Sequence, residues 1–402
     1  MKKVIILGST GSIGVQTLDV IRLHKSEFEI VAISAHKNKD LFLQQIEEFS
    51  PKFAVLSGYD KLDYNLKDTS ILFGEQGLDE IVDNCDYDYA VIALVGMIGL
   101  KYVLKALNRG KRVLLANKEA LVAGGNIVIE TCKKTAIESN KNSCNVPNAT
   151  YADGIDLPSP LNRILPIDSE HSAIFQCMNT SSQNPIDKIF LTCSGGPFRT
   201  WSSEDIKSAT KQQALKHPNW NMGAKISIDS ATLFNKALEI IEASYLFGVP
   251  EDKIEVLIHP ESVVHSMVGF KDKSIIAQLG VPSMKLPIQY SLSYPKRIES
   301  DIEYPILSKL NFEEPRKDVF KALDLARESL RNHDASCIVL NAANEVAVSY
   351  FLNDRIHFGN IYDCVDHTLN NIEKLYAYSY EDALYADNRA RQIAKEFLEE
   401  II

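Results

Sequence analysis

The sequence predicts an α/β protein in three parts: an N-terminal Rossmann-like parallel sheet, a central α+β region and a C-terminal helical bundle. Three observations point there. The first third alternates short β-branched runs with amphipathic stretches, the pattern of βαβ units. A glycine-rich turn, Gly8-Ser9-Thr10-Gly11-Ser12-Ile13-Gly14, directly follows the first such run. From Lys317 onward, apolar residues recur at helical spacing (Leu323, Ala326, Leu330, then Val339, Ala342, Ala343, Val346) with no strand signals.

In chain order, strands are expected at Lys3 to Leu7, Glu29 to Ser34, Phe53 to Leu56, Tyr89 to Leu94 and Arg112 to Ala116. The polar stretch from Lys133 to Asn162, with three prolines, reads as a long surface loop. Residues 163–294 mix strands and helices and hold most of the polar motifs. Pro295 to Pro315 has little periodicity and reads as a linker. The expected domains are therefore 1–162, 163–294 and 317–402, joined across 295–316.

At 402 residues the chain needs more than one core, and 45% hydrophobic with 24% charged residues is a globular composition. A net charge of -10 argues against nucleic acid or an anionic membrane surface as the main partner. The apolar run Val4 to Leu7 is too short for a signal peptide, and no transit peptide is recognised. Ala90 to Leu100 is too short to span a bilayer and contains two glycines, so a cytoplasmic location with no membrane partner is expected. The seven cysteines form no CxxC pair, which indicates neither a disulfide framework nor a zinc site. In a reducing cytosol the sequons at Asn148 and Asn179 carry no meaning.

The glycine turn sits between an expected strand and the helical pattern Val15 to His24. Glycines there permit a tight turn and let backbone N–H groups approach a pyrophosphate at the helix N-terminus. The GxxGxxG spacing is less common than GxGxxG, and a glycine-rich turn in an unrelated α/β protein is the alternative. The second strand ends in Ser34-Ala35-His36-Lys37-Asn38, without the carboxylate that usually holds the ribose of NAD. NADPH is favoured. No tyrosine begins the Tyr-x-x-x-Lys pair of short-chain dehydrogenases.

Three further segments carry chemistry. Asn117-Lys118-Glu119 closes an apparent strand at the end where α/β proteins bind ligands; an exposed turn would look the same. Ile164-Leu165-Pro166-Ile167-Asp168-Ser169-Glu170-His171 follows the same logic and is read as extended, so that Asp168 and Glu170 face one way. Two hard oxygen ligands suit Mg²⁺ or Mn²⁺, although a solvated edge is as good an explanation of Asp-x-Glu alone. After Ser194-Gly195-Gly196 comes the longest polar signature, from Lys216 to Glu239. Lys225 to Ile228 is strand-like, Asp229 or Ser230 is a natural N-cap, and a helix is expected through Phe247. On it Asn235, Lys236 and Glu239 share a face by their i,i+4 and i,i+3 spacing, making a phosphate cradle with a third metal oxygen or else an ordinary surface pair. Trp220, between Pro218 and Gly223, reads as part of a flap near 215–223 or as a core residue. Of His217, His259 and His265, only His217 is a functional candidate.

Taken in order, GSTGSIG, LLANKEALV, ILPIDSEHSAIFQ, SGGPFR, HPNWNMGAKISIDSATLFNKALEIIEA, HPESVVHSMV and LNAANEVAV resemble the 1-deoxy-D-xylulose 5-phosphate reductoisomerase family over nearly the whole chain. The resemblance implies an NADP-dependent oxidoreductase of isoprenoid precursor biosynthesis, usually homodimeric, acting on a phosphorylated sugar. It implies NADPH contacts from Thr10, Gly11, Ser12, Ile13, Lys37, Asn38, Asn117, Glu119 and Gly223. It assigns a divalent cation (Mn²⁺ or Mg²⁺, with Co²⁺ a third candidate) to Asp168, Glu170 and Glu239. It gives the substrate phosphate to Ser194, Ser230, Asn235 and Lys236. The rest of the substrate falls to Lys118, Ser169, Glu170, His217 and Glu239, with Trp220 and Met222 on the flap and Met284 as an apolar wall near the nicotinamide. Lys118, Glu170 and Asp168 are the catalytic candidates. His36 and Cys193 depart from the family pattern, where small residues are common. Two rival readings stay open: an NADPH dehydrogenase without rearrangement, and a non-catalytic nucleotide sensor.

Overall fold

The computed structural model describes residues 1–61, 68–142, 160–178, 186–220 and 222–402, with side chains of 136–142 left out. It divides into two compact units, each made of three chain segments: 1–120, 128–172 and 283–301 in the first, 121–127, 173–282 and 302–402 in the second.

The first unit is built on a seven-stranded parallel sheet. Its elements in order are β1 (Lys2–Leu7), α1 (Ser12–Leu23), β2 (Phe28–Ala35), α2 (Lys39–Phe49), β3 (Phe53–Leu56), β4 (Ser70–Phe73), α3 (Gly74–Asn84), β5 (Tyr89–Ile92), α4 (Met97–Asn108), β6 (Arg112–Leu115), α5 (Glu119–Asn142) and β7 (Ile164–Pro166). The strand order is β4-β3-β2-β1-β5-β6-β7, so the chain reverses direction of growth across the sheet at β1. Val4 to Leu7 are fully buried, as expected for a central strand covered on both faces, which is why the sequence there is a continuous apolar run.

The expected strands are found within two residues of their bounds; β7 is the first part of the segment from Ile164 read as extended, and β4 lies outside the expected strands. Two expectations are corrected. The polar stretch beginning at Lys133 is not a loop at its start, because α5 continues to Asn142; residues 143–159, with Cys144 and Asn148, lie outside the described residues. Asn179 lies outside them as well. Nor is the segment around Asp168 extended: β7 ends at Pro166 and helix α6 (Ser169–Met178) begins one residue after Asp168.

The second unit contains a four-stranded mixed sheet and most of the helices. Its elements are β8 (Ile186–Cys193), α7 (Ser203–Lys207), α8 (Lys211–Ala214), α9 (Ala224–Thr232), α10 (Phe234–Phe247), β9 (Ile254–Ile258), β10 (Val264–Phe270) and β11 (Ile275–Leu279), in sheet order β11-β10-β8-β9. Then α11 (Lys285–Ser293) returns to the first unit, where Ile288 and Leu292 pack into the core shared with Leu18 and Ile21 of α1. After an irregular stretch that includes the expected linker, α12 (Ala322–Arg331), α13 (Ser336–Leu352), α14 (Asn360–Asn371) and α15 (Tyr380–Ile401) follow in the second unit. The expected helical C-terminus is present.

Lys225 to Ile228 is helical, not a strand, and neither Asp229 nor Ser230 is an N-cap. Ile226 and Ile228 favour β structure locally, but tertiary and capping terms win. Gly223 takes the N-cap, Ser227 Oγ donates back to its carbonyl at 3.0 Å, and Lys225 pairs with Asp229 at 2.6 Å across one turn. The break between α9 and α10 falls at Leu233, in the left-handed region at φ 59°. Tyr362 donates its buried hydroxyl to the carbonyl of Thr232 just before that break.

Candidate functional site

The glycine turn is held by close approach. Gly8 has φ +93°, and a Cβ there would lie 2.6 Å from the carbonyl oxygen of Ala93, at the end of the neighbouring β5. A Cβ on Gly14 would lie 2.2 Å from Gly8 O, whereas one on Gly11 would meet nothing nearer than 3.4 Å. Gly11 is therefore the open point of the turn. It N-caps α1 without a side-chain hydrogen bond, and no acidic residue occupies the first turn, so the N-terminal amides there suit an anion. Ser9 Oγ donates to Gln45 Oε1 at 2.7 Å and Gln45 Nε2 donates to Ser9 O at 3.0 Å, fixing the turn from α2. Thr10 and Ile13 are half-buried, Gly11 and Ser12 exposed. The backbone fits a dinucleotide pyrophosphate. Lys37 and Asn38 stand exposed after β2, where Asn38 Oδ1 caps α2 by accepting from Leu41 N at 3.3 Å.

Asn117, buried, spends its amide within the protein. Its Nδ2 donates to the carbonyls of Leu94 and Gly96, and its Oδ1 accepts from Ala120 N at 2.7 Å to start α5. Asn117 thus ties the loop after β5 to the loop after β6. Glu119 is half-buried in the first turn of α5.

The carboxylate centre of this unit follows from strand adjacency. Because β6 and β7 are parallel neighbours (Leu115 opposite Pro166), the residues just beyond them emerge side by side. Lys118 Nζ lies 2.6 Å from Asp168 Oδ2, with both side chains 10% exposed, and His171 Nδ1 is 3.7 Å from the same oxygen. Burial alone would push the Asp168 carboxyl up. The Lys118 ammonium, with His171 behind it, outweighs that and holds it well below the usual carboxylate range. Glu170, in the first turn of α6, accepts from Ser169 Oγ at 2.6 Å, and Asp168 and Glu170 offer carboxylate oxygens within 4.8 Å of one another. The donor set fits a hard divalent cation, and the Lys118 ammonium already stands as a positive charge at Asp168. His171 is fully buried, and its spacing three residues beyond Asp168 becomes informative only with α6 starting there. Met284 packs partly buried on this unit's core.

In the second unit, Ser194 follows β8 and precedes two glycines in the left-handed region, Gly195 at φ 82° and Gly196 at φ 69°. Ser194 Oγ accepts from Gly196 N at 3.2 Å and lies 3.0 Å from His217 Nε2. His217 Nδ1 accepts backbone N–H bonds from Trp220 at 2.9 Å and Asn219 at 3.2 Å. A neutral imidazole accepting at Nδ1 carries its proton on Nε2, so His217 donates to Ser194 and the serine's own proton is turned outward. Trp220, half-buried, meets the His265 ring edge-on at 6.3 Å. Met222 is half-buried and Gly223 exposed. His259 and His265 bond within the fold: His259 Nε2 accepts from Val263 N at 3.1 Å and Nδ1 donates to Asn311 O at 2.8 Å, and His265 Nε2 lies 3.2 Å from Val281 O.

On α10 the expected face forms. Asn235 Nδ2 donates to Glu239 Oε1 at 2.5 Å, and Lys236 donates to Glu239 Oε2, with Lys236 and Glu239 both buried. Ser230, half-buried near the end of α9, lies just before the Leu233 break. Asn344 of α13 donates to Asp229 Oδ1 at 2.8 Å, a buried support that no sequence spacing announced.

The fold and the glycine turn define an α/β dinucleotide-binding protein with a buried, lysine-paired acidic centre. Family models described as 1-deoxy-D-xylulose 5-phosphate reductoisomerase match residues 4–125, its C-terminal domain 164–247, and a DXP reductoisomerase C-terminal domain 279–393. Proteins of that name from Clostridium perfringens and Thermoanaerobacter pseudethanolicus are each 43% identical, covering 98% of this chain and 98% of the first, and 99% and 100% for the second. The reductoisomerase from Zymomonas mobilis, solved in complex with NADPH, matches at TM-score 0.86 with 37% identity over 99% of each chain. A reductoisomerase solved with NADPH, fosmidomycin and magnesium matches at TM-score 0.87 with 39% identity, over 100% of this chain and 99% of that one. The chain belongs to the 1-deoxy-D-xylulose 5-phosphate reductoisomerase family.

Proposed function

We propose that this protein converts 1-deoxy-D-xylulose 5-phosphate to 2-C-methyl-D-erythritol 4-phosphate, using NADPH and a divalent cation, as a step in non-mevalonate isoprenoid precursor synthesis. The observation that carries this reading is the Lys118–Asp168 pair at the ends of neighbouring strands, in a chain that matches the family along its whole length. Residues 1–162 serve the cofactor, 163–294 the chemistry, and 317–402 act as a helical scaffold.

The NADPH pyrophosphate rests on Thr10 to Ile13, with Lys37 and Asn38 at the 2′-phosphate and Asn117, Glu119 and Gly223 completing the site. Asp168, Glu170 and Glu239 hold the cation, Mg²⁺, Mn²⁺ or Co²⁺. When bound, that cation supplies Lewis-acid polarisation of the substrate's carbonyl and adjacent hydroxyl oxygens. Ser194, with its proton turned outward, joins Ser230, Asn235 and Lys236 on the phosphate. Ser169 and His217 orient the sugar. Lys118, released from Asp168 as the ligand enters, presents an ammonium to a substrate oxygen, and Glu170 is placed to exchange a proton beside it. A carbon–carbon bond is broken and remade to give a branched aldehyde, and NADPH, when bound, would supply the hydride that reduces it. Trp220 and Met222 close over the substrate, and Met284 lines the nicotinamide.

A homodimer in the cytoplasm completes the proposal. Among the described residues no helix is long and apolar enough to cross a membrane. The second unit exposes Tyr304 (97%), Ile306 (84%) and Leu307, and the strand β11 exposes Ile275 and Leu279, apolar surface of the kind a second copy covers. Sedimentation would read this directly. The activity is tested by NADPH consumption with 1-deoxy-D-xylulose 5-phosphate, with and without Mn²⁺. Rearranged product forming only with the metal is expected; turnover indifferent to a chelator would sink the proposal.

A further inference from the structure

The turn after β2 holds one side chain whose place the expected cofactor contacts leave unused. We propose that His36 is a specificity-determining residue for the phosphorylated dinucleotide, its imidazole standing beside Lys37 as a second donor to the 2′-phosphate, with Ser57 holding the ring in place. The inference rests on the reading that NADPH is the cofactor.

In a doubly wound sheet the adenosine ribose lies at the C-terminal end of the second strand. β2 ends at Ala35, and His36, Lys37 and Asn38 follow, all exposed and with no carboxylate among them. Helix α2, eleven residues long, starts at the same turn, but Asp40 in its first turn offsets its positive end, so the attraction for an anion falls to the side chains of the turn.

The ring is oriented rather than loose. His36 Nδ1 lies 3.2 Å from Ser57 Oγ, and Ser57 Oγ donates its own proton to Ala35 O at 3.3 Å. The serine oxygen engages Nδ1 and leaves Nε2 for a ligand. A phosphate oxygen at Nε2 takes a hydrogen bond from the ring, strengthened by the anion's charge.

The backbone bearing the pair is clamped from the β3 side. Ser57 N donates to Ala35 O at 2.9 Å, and Tyr59 Oη donates to Lys37 O at 3.2 Å. Gly58 presses so close that a Cβ on it would lie 2.4 Å from His36 O. Two adjacent nitrogen donors on a braced turn make a bidentate grip on a tetrahedral group. A simple loop staple would also bring His36 to Ser57, but it predicts lost stability, not lost discrimination.

The test is equilibrium binding to the intact protein without substrate, by calorimetry, using NADPH, NADH and 2′,5′-ADP. The unaltered protein should prefer NADPH. In His36→Ala the Kd for NADPH and for 2′,5′-ADP should rise about tenfold while that for NADH stays unchanged, the loss of one charge-assisted hydrogen bond. Ser57→Ala should show the same pattern at smaller size, and KM for NADPH should rise in both with kcat held. Melting temperatures should match the parent. Equal losses for NADPH and NADH, or no loss in His36→Ala, would overturn the role of His36 while leaving the cofactor reading intact. An unaltered protein that binds NADH as tightly as NADPH would overturn the cofactor reading and this inference with it.

Discussion

In the proposed reaction Asp168 is the residue where the cation and the Lys118 ammonium would meet. Its carboxylate is buried against Lys118 at 2.6 Å and kept ionised by it. Asp168→Asn keeps the shape and removes the charge. NADPH affinity, read by nucleotide fluorescence, should survive, because the glycine turn needs no metal. Turnover at saturating Mn²⁺ should fall by roughly two orders of magnitude or more, since losing a ligand charge costs several kcal/mol of barrier. Near-normal turnover would mean the cation binds elsewhere. The same substitution has a pH signature. A carboxyl whose folded pKa is depressed contributes stability above its unfolded value, and that contribution is lost as the pH falls through the folded value. The stability deficit of Asp168→Asn, measured by urea unfolding, should be full at neutral pH and shrink in acid. Sequence alone exposed Asp168 and Lys118 as candidates but could not pair them, since their contact exists only because β6 and β7 are neighbours. It also misjudged how Asp168 and Glu170 converge: they meet across the start of α6 rather than along a strand.

At the scale of elements, α5 and the segment 215–220 make opposite demands. Gly125 in α5 sits where a Cβ would lie 2.3 Å from the ring of Tyr245 in α10, a contact between ring and helix backbone that admits no side chain. Gly125→Ala should destabilise the protein by about 1–3 kcal/mol through forced displacement of a buried ring. Chemical denaturation reads it, and an unchanged midpoint would show that the ring yields freely. The segment 215–220 is tied instead through one imidazole, His217, which accepts from Trp220 and Asn219 and reaches Ser194. If this segment closes over substrate, its amides should exchange quickly in the free protein and slowly in the ternary complex. Equally slow exchange in both would make Trp220 a core residue. The strands with four or more β-branched or apolar residues in a row were legible from sequence, as was the shared face of Asn235, Lys236 and Glu239. Two elements escaped for physical reasons. β4 has only Ile71, Leu72 and Phe73 as its apolar run, too few for any period, and α9 carries isoleucines whose β preference is overruled by Gly223 and the Lys225–Asp229 pair.

For the whole molecule, the consequential feature is that both units are discontinuous in sequence. The chain passes from one to the other five times, at 120, 127, 172, 282 and 301. A ribosome therefore releases the complete parallel sheet long before it releases α11, whose Ile288 and Leu292 belong in that sheet's core. Until then Leu18 and Ile21 of α1 lack the cover that α11 gives them, and the nascent first unit carries a partly bare apolar stripe. Cutting the gene at a convenient boundary reproduces that unfinished state. A fragment of residues 1–172 should express poorly, bind a hydrophobic dye and aggregate, whereas supplying 283–301 through a short fused linker should quiet the dye signal. A monomeric, dye-silent 1–172 fragment would show that the sheet needs no late-arriving cover. For anyone dissecting this protein, the smallest useful piece is close to the whole chain.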